Sequence, residues 1–333
     1  MGTKTAMNID MIHAAEARVR GRIRLTPLLS APLLNALAGR RIWVKPECLQ
    51  HTGSFKYRGA VSAVTALTDA QRARGVLAFS SGNHAQGVAL AAREAGASAV
   101  IIMPKDAPRM KIDNTRAFGA EVVFYDRVSG DNRDAIGREL AETRGLTLIK
   151  PFDEPQVIAG QGTTGLEIAE QAKSLGIASD AEVAVCCGGG GFASGIALAL
   201  EAEAPKMRLR PVEPDGFDDM ARSLVAGERL SNATTSGSIC DAIISPTPGE
   251  LTFPILHRLA GPGVIVTDEE ALRAMALAFR HLKLVAEPGG AVALAALLFH
   301  GEKFLNGDVI ATISGGNVDP EVFRMALEKY GDT

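Results

Sequence analysis

The sequence has no marked excess of either charge: 35 basic and 38 acidic side chains leave a formal net charge of -3 over 333 residues. Without a basic excess, neither nucleic acid nor membrane lipid is the expected partner, and a small charged metabolite is the default. No stretch reaches the roughly 18 uninterrupted apolar residues of a membrane span. The best candidate, AVALAALLF at 291–299, reads as a buried helix. There is no CxxC pair and no spaced metal set among the four cysteines, Cys48, Cys186, Cys187 and Cys240. Cys186 and Cys187 lie in an apolar strand-like run and read as small core residues, which fits a reducing compartment. The N-terminal MGTKTAMNIDMIHAAEARV lacks a continuous apolar segment and a cleavage site, so no secretory signal is expected and the cytoplasm is the expected location. Internal repeats and low-complexity linkers are absent too.

What is present is an ordinary globular composition, 47% hydrophobic and 22% charged, in a chain long enough for two lobes with their own cores. Short β-branched runs alternate with alanine-rich ones. Strands are expected at 41–47, 75–80, 99–104, 121–125, 182–187, 209–214 and 308–314, and helices at 84–96, 192–204 and 268–282. Such alternation predicts parallel sheets wrapped by helices. Ligands then bind where strands end and loops open into helices. Residues 68–152 hold a compact strand–helix set of their own. They are expected to form a small domain inserted in a large one made of 1–67 and 153–333.

Four loops carry chemistry. The first, HTGSFKYRGA at 51–60, holds Lys56. A lone lysine near a helix start is usually solvated. One that condenses with a carbonyl must be desolvated with its pKa lowered, and Arg58 would help if the two side chains were close. The second, FSSGNHAQGVAL at 79–90, crowds Ser80, Ser81, Asn83 and His84 at a strand-to-helix turn. Simple helix capping accounts for one of these side chains, and an anion site at the free N–H groups accounts for more of them. The third, CCGGGGFASG at 186–195, sets four glycines, Gly188 to Gly191, between a strand and a helix. A tight turn needs one or two. Four suit a backbone wrapped around a phosphate, held by N–H groups and the helix dipole of roughly half a charge. The fourth, TISGGNVDP at 312–320, ends a strand at Ser314, where a serine either bonds a heterocyclic nitrogen or sits in a turn capped by Asn317.

The third loop also fits a rival. Gly188, Gly190 and Ala193 match G-x-G-x-x-A, and Glu213 ends the following strand. That is close to the dinucleotide fingerprint, so an NAD-dependent dehydrogenase is the alternative on this loop alone. The fingerprint leaves the other three loops unexplained.

Taken together, KPECLQHTGSFKYRGA, SSGNHAQG, IAGQGTTGLEI, GGGGFASG, VEPDGFDD and SGGNVDP resemble the threonine dehydratase and serine racemase family, in order and over nearly the whole chain. This is the fold-type II branch of pyridoxal-phosphate enzymes. The resemblance implies an α/β fold like the tryptophan synthase β chain, with two lobes, each a mainly parallel twisted sheet flanked by helices. It implies pyridoxal 5'-phosphate carried by Lys56 as a Schiff base, with Phe55 against the ring. Asn83 would meet the 3'-hydroxyl, Gly188, Gly189, Gly190 and Gly191 the phosphate, and Ser314 the pyridine nitrogen. Ser80, Ser81, Asn83 and His84 would hold the substrate carboxylate, and Ser81 matches the residue that works opposite the lysine in racemases. Arg133 aligns with an arginine that serves substrate binding; a surface helix charge is the other reading. A divalent cation, Mg²⁺, Mn²⁺ or Ca²⁺, maps to Glu213, Asp219 and the carbonyl of Phe217, oxygen donors that suit such ions. A solvated acidic turn is the alternative.

The resemblance further implies a homodimer acting on a small amino-acid substrate. The chain's end at residue 333 leaves no expected room for the regulatory domain of biosynthetic threonine dehydratases. The implied activity is an ammonia-lyase (dehydratase) that converts serine, threonine or 3-hydroxyaspartate to a 2-oxo acid and ammonia, with a racemase side activity. The second cation, Arg133, would suit a β-carboxylate. A pyridoxal-phosphate β-replacement synthase and a non-catalytic metabolite-binding protein are the remaining alternatives.

Overall fold

The computed structural model describes residues 7–80, 82–107, 109–126, 131–305 and 307–331. Its strands are β1 (Ile42–Pro46), β2 (Val76–Phe79), β3 (Ala99–Pro104), β4 (Glu121–Tyr125), β5 (Thr147–Leu148), β6 (Glu182–Cys186), β7 (Arg208–Pro214), β8 (Val264–Val266) and β9 (Val309–Ile313). They form a five-stranded sheet in the order β1-β9-β6-β7-β8 and a four-stranded sheet in the order β4-β3-β2-β5. Every strand pairing in both sheets is parallel. The expected architecture is therefore observed.

Parallel strands covered on both faces need no polar alternation. β6 (EVAVC) and β3 (AVIIMP) are accordingly buried at every position. The seven expected strands all appear with ends moved by a residue or less. β5 and β8 were not foreseen, because two and three residues are too short to show a period. The helix Asp268–Leu282 starts where expected because Thr267 and Glu270 close a reciprocal capping box ahead of it. The helix Pro288–Phe299 is apolar all round and buried through most of its length, as AVALAALLF foretold. Among the described residues, no helix is long and apolar enough to cross a membrane.

The chemistry-bearing loops converge because of strand order. β1, β9 and β6 are neighbours, so the segments after their C-terminal ends lie side by side: 47–56, 314–317 and 187–191. An isolated antiparallel bridge between Ser54 and Gly315 ties the first two together. The second sheet brings the end of β2, with Ser80 and Asn83, to face them. The helix Lys56–Thr65, which follows the first loop, packs its Tyr57, Ala60, Val61 and Val64 into the smaller sheet's hydrophobic core.

Candidate active site

A cavity of about 540 Å³ lies where these loops meet. Phe55, Lys56, Ser80, Asn83, His84, Arg133 and all four glycines of the 188–191 turn line it. Residues 56 and 188–191 thus share one space.

Lys56 is the first residue of its helix, and its Nζ donates to the Pro151 carbonyl at 2.8 Å. Burial pulls its amine down to about 8, with Cys186 and Glu287 resisting. Arg58 has no part in that shift, contrary to the expectation from their spacing. Its side chain turns the other way and is wholly buried, with Nε on Glu47 at 2.7 Å and NH1 on Glu167 at 2.6 Å. Two residues on a helix are about 200° apart, so they face opposite sides. Lys45 joins the same cluster through Glu167 at 2.6 Å. Burial works against the Arg58 charge, but Glu47 and Glu167 outweigh it and raise its pKa.

The glycine turn is built by close packing as well as by openness to the cavity. A Cβ on Gly189 would fall 2.3 Å from the Phe152 ring, and one on Gly188 2.7 Å from the Ile243 carbonyl. Gly190 has φ +90°, and a Cβ there would meet Met220 at 2.8 Å and Thr252 Oγ1 at 2.9 Å. A bound phosphate is therefore not the sole reason for four glycines. Gly190 caps the helix Gly191–Glu203 without any side-chain cap, which leaves its first N–H groups for a ligand. This bare, cavity-facing backbone fits a phosphate, and the neighbouring Lys56 fits an aldehyde.

His84 is buried, and its Nε2 lies 2.9 Å from the Ile149 carbonyl. That oxygen only accepts, so the ring carries its proton on Nε2. Burial, then Lys56, pulls the imidazole down to about 3 and keeps it neutral. The Ser80 hydroxyl accepts the Gly82 N–H at 3.1 Å. Ser81 lies outside the described residues. Arg133 opens the helix Arg133–Arg144 with its guanidinium 6.0 Å from the Phe79 ring centre, and its side chain is 57% exposed. Phe55 stacks on Phe192 with centroids 4.0 Å apart. Ser314 is buried behind the cavity wall, within hydrogen-bonding reach of the Cys186 thiol, which does line it.

Asn83 sits between two partners. Its Oδ1 accepts from Asn317 Nδ2 at 2.7 Å, and its Nδ2 donates to Glu287 Oε1 at 2.5 Å. Glu287 was missed in the sequence, as were Lys111 and Asp241, which line the cavity with Nζ and Oδ2 3.5 Å apart. An acid inside the apolar run LVAEPGGAVALAAL was the available signal for Glu287. Nothing local distinguishes Lys111 on its polar helix.

Glu213 and Asp219 are buried side by side, away from this cavity. The Glu213 carboxylate accepts N–H groups of Met220 at 3.0 Å and Ala221 at 2.7 Å. Burial and Asp219 push it well above the carboxylate range. Burial also pushes Asp219 up to about 6; its Oδ1 accepts from Asn232, and its Oδ2 is buried without a partner. Among the described residues, no group of three or more His, Cys, Asp or Glu side chains is arranged to hold a metal. The dehydrogenase alternative fails here, because a wholly buried Glu213 spent on backbone amides is not presented to a nucleotide ribose. All four cysteines are free.

Comparison with known proteins agrees with this geometry. A family model described as pyridoxal-phosphate dependent enzyme matches residues 19–316. The chain is 43% identical to the L-threo-3-hydroxyaspartate ammonia-lyase of Pseudomonas sp over 319 residues, 96% of this chain and 98% of that one. It is 39% identical to the catabolic L-threonine dehydratase of Escherichia coli over 316 residues, 93% of each. The solved structure of maize serine racemase superimposes with a TM-score of 0.89 at 35% identity, covering 97% of this chain and 98% of that one.

Proposed function

This chain belongs to the pyridoxal-phosphate-dependent enzyme family, and from that premise we propose that it is an ammonia-lyase. It converts a β-hydroxy amino acid (L-serine, L-threonine or 3-hydroxyaspartate) to a 2-oxo acid and ammonia. The observation that carries this reading is the Lys56 amine, lowered to about 8 by burial, in one cavity with the Gly188–Gly191 turn.

When bound, the cofactor draws electron density from the bonds at the substrate α-carbon. Lys56 would hold its aldehyde carbon, and the Gly188–Gly191 amides would hold its phosphate. Asn83, Ser314 and Phe55 are proposed around its ring. The free Lys56 amine, buried and lowered to about 8, would be able to take the α-proton near neutral pH. Ser80, Asn83 and the backbone N–H of His84, at the start of the helix Asn83–Glu94, orient the α-carboxylate; the neutral His84 ring gives its one proton to the Ile149 carbonyl. Arg133, exposed and facing the cavity, suits a β-carboxylate. Water is lost from the substrate and regained as ammonia is released, so no oxidant enters. Ser81 would return the proton from the opposite face and so give a racemase side activity. A β-replacement synthase would need a second nucleophilic substrate, and none of the three relatives above is named for such a reaction.

The same reading includes a divalent cation held by Glu213, Asp219 and the Phe217 carbonyl. Two buried carboxylates, one with an oxygen lacking any partner, fit a hard cation completed by water. It also includes a homodimer, a cytoplasmic location, and lobes of 1–67 with 153–333 and of 68–152. The four-stranded sheet, running from Val76 to Leu148, supports that division, while the helix Lys56–Thr65 crosses it by sharing the smaller core.

Lys56→Ala tests the central claim. The purified variant is expected to lose the visible absorbance of lysine-bound cofactor and about 10³-fold or more in turnover. Keto-acid release from both enantiomers of serine, threonine and 3-hydroxyaspartate supplies the rate. A variant that keeps both colour and rate removes Lys56 from the reaction.

A further inference from the structure

We infer that Glu287 is a positioning residue that fixes the amide of Asn83, so that one N–H of Asn83 is held toward the cavity for an oxygen of the bound cofactor or substrate. This rests on the reading of the cavity as a pyridoxal-phosphate site.

The argument is one of hydrogen-bond inventory. A primary amide has one acceptor oxygen and two N–H groups. The Asn83 oxygen is taken by Asn317 Nδ2 at 2.7 Å, and that nitrogen is itself anchored on the Thr52 carbonyl at 2.7 Å. One N–H of Asn83 goes to Glu287 Oε1 at 2.5 Å. Asn83 lines the cavity, and the second N–H is the one donor left to it. Were the amide reversed, it would present an oxygen to a ligand oxygen and two donors would oppose each other at Asn317. Glu287 opposes that reversal because its Oε1 needs a donor.

Glu287 is itself held rigidly. It caps the helix Pro288–Phe299, and its N–H donates to the Gly315 carbonyl at 3.0 Å. Its Oε1 lies 2.1 Å from where a Cβ on Gly315 would stand, so only glycine admits it. Its other oxygen, Oε2, is buried with no partner. The titratable groups around it are Lys111, Asp241, Lys56 and the thiols of Cys48 and Cys186. Burial pushes the carboxyl up to about 7, so a proton on it is accessible near neutrality. The neutral, isosteric Gln is therefore a fair mimic that keeps an acceptor for Asn83.

The test uses the full chain stripped of cofactor and titrated with pyridoxal 5'-phosphate, following quenching of intrinsic fluorescence. E287A is expected to bind about tenfold or more weakly, because it leaves a buried donor unpaired, while E287Q stays within about threefold of wild type. In an N83A background, adding E287A is expected to cost nothing further, since the effect runs through Asn83. Wild-type affinity in E287A overturns the inference. So does a loss in E287Q equal to that in E287A, or a loss from E287A undiminished in N83A. If the wild-type protein binds no pyridoxal phosphate, it is the functional reading itself that fails. Circular dichroism confirms that each variant is folded, and E287Q decides the matter if E287A is not.

Discussion

Lys56 and Arg58, two residues apart on one helix, face opposite ways: the lysine into the cavity onto the Pro151 carbonyl, the arginine into a buried cluster with Glu47 and Glu167. The reactive amine is thus carried on a helix whose reverse side is pinned by charge. Removing one partner of such a cluster leaves uncompensated charge in the interior. Arg58→Met is expected to cost about 3–5 kcal/mol of stability. Arg58→Lys should recover little of it, since one ammonium cannot match the guanidinium fork across two carboxylates. Denaturant unfolding measures both, and a loss below about 1 kcal/mol for Arg58→Met would show the cluster to be dispensable.

His84 gives a pH dependence with a defined sign. Its folded pKa of about 3 lies below the ordinary 6.5, so between those values the unfolded chain binds a proton that the folded chain does not. Its contribution is present in full above 6.5 and is lost progressively as the pH falls toward 3. His84→Asn should therefore flatten the fall in melting temperature with acid relative to wild type. Parallel curves for the two proteins would mean that His84 titrates normally.

Gly190 is the glycine whose replacement is expected to do most harm, because its φ of +90° and its contacts with Met220 and Thr252 act together. Gly190→Ala should destabilise the turn by about 1–3 kcal/mol and weaken pyridoxal-phosphate binding. Equilibrium dialysis reads the affinity, and a variant that binds like wild type separates the turn from the phosphate.

Chelation tests the paired acids. If a cation sits at Glu213 and Asp219, removing it returns two raised-pKa carboxylates to mutual repulsion, and the melting temperature should fall. Restoring the ion adds stability as RT ln(1 + [L]/Kd). A melting temperature indifferent to chelator and to added Mg²⁺, Mn²⁺ or Ca²⁺ argues that the pair is held by protons alone. Asp219→Asn, which removes the charge but keeps the shape, should abolish any response.

The sequence by itself determined the alternation of strand and helix, the parallel sheets and the loops that carry the lysine, the glycine turn and the polar cluster of the cavity. Those features are local: apolar runs of five to seven residues, glycines between a strand and a helix, polar side chains crowded at a turn. Lys56, Ser80, Asn83, His84 and the 188–191 turn were legible because each stands in a loop with few other reasons for its composition. The tertiary structure alone decided direction and partnership. Spacing could not say that Arg58 meets Glu47 and Glu167, that Glu213 spends its oxygens on the amides of Met220 and Ala221, or that Phe152 closes on the glycine turn. It also could not couple Asn83 to Glu287, some two hundred positions later, because that contact exists only once the end of β2 in one sheet faces the end of β9 in the other and Gly315 makes room for the acid.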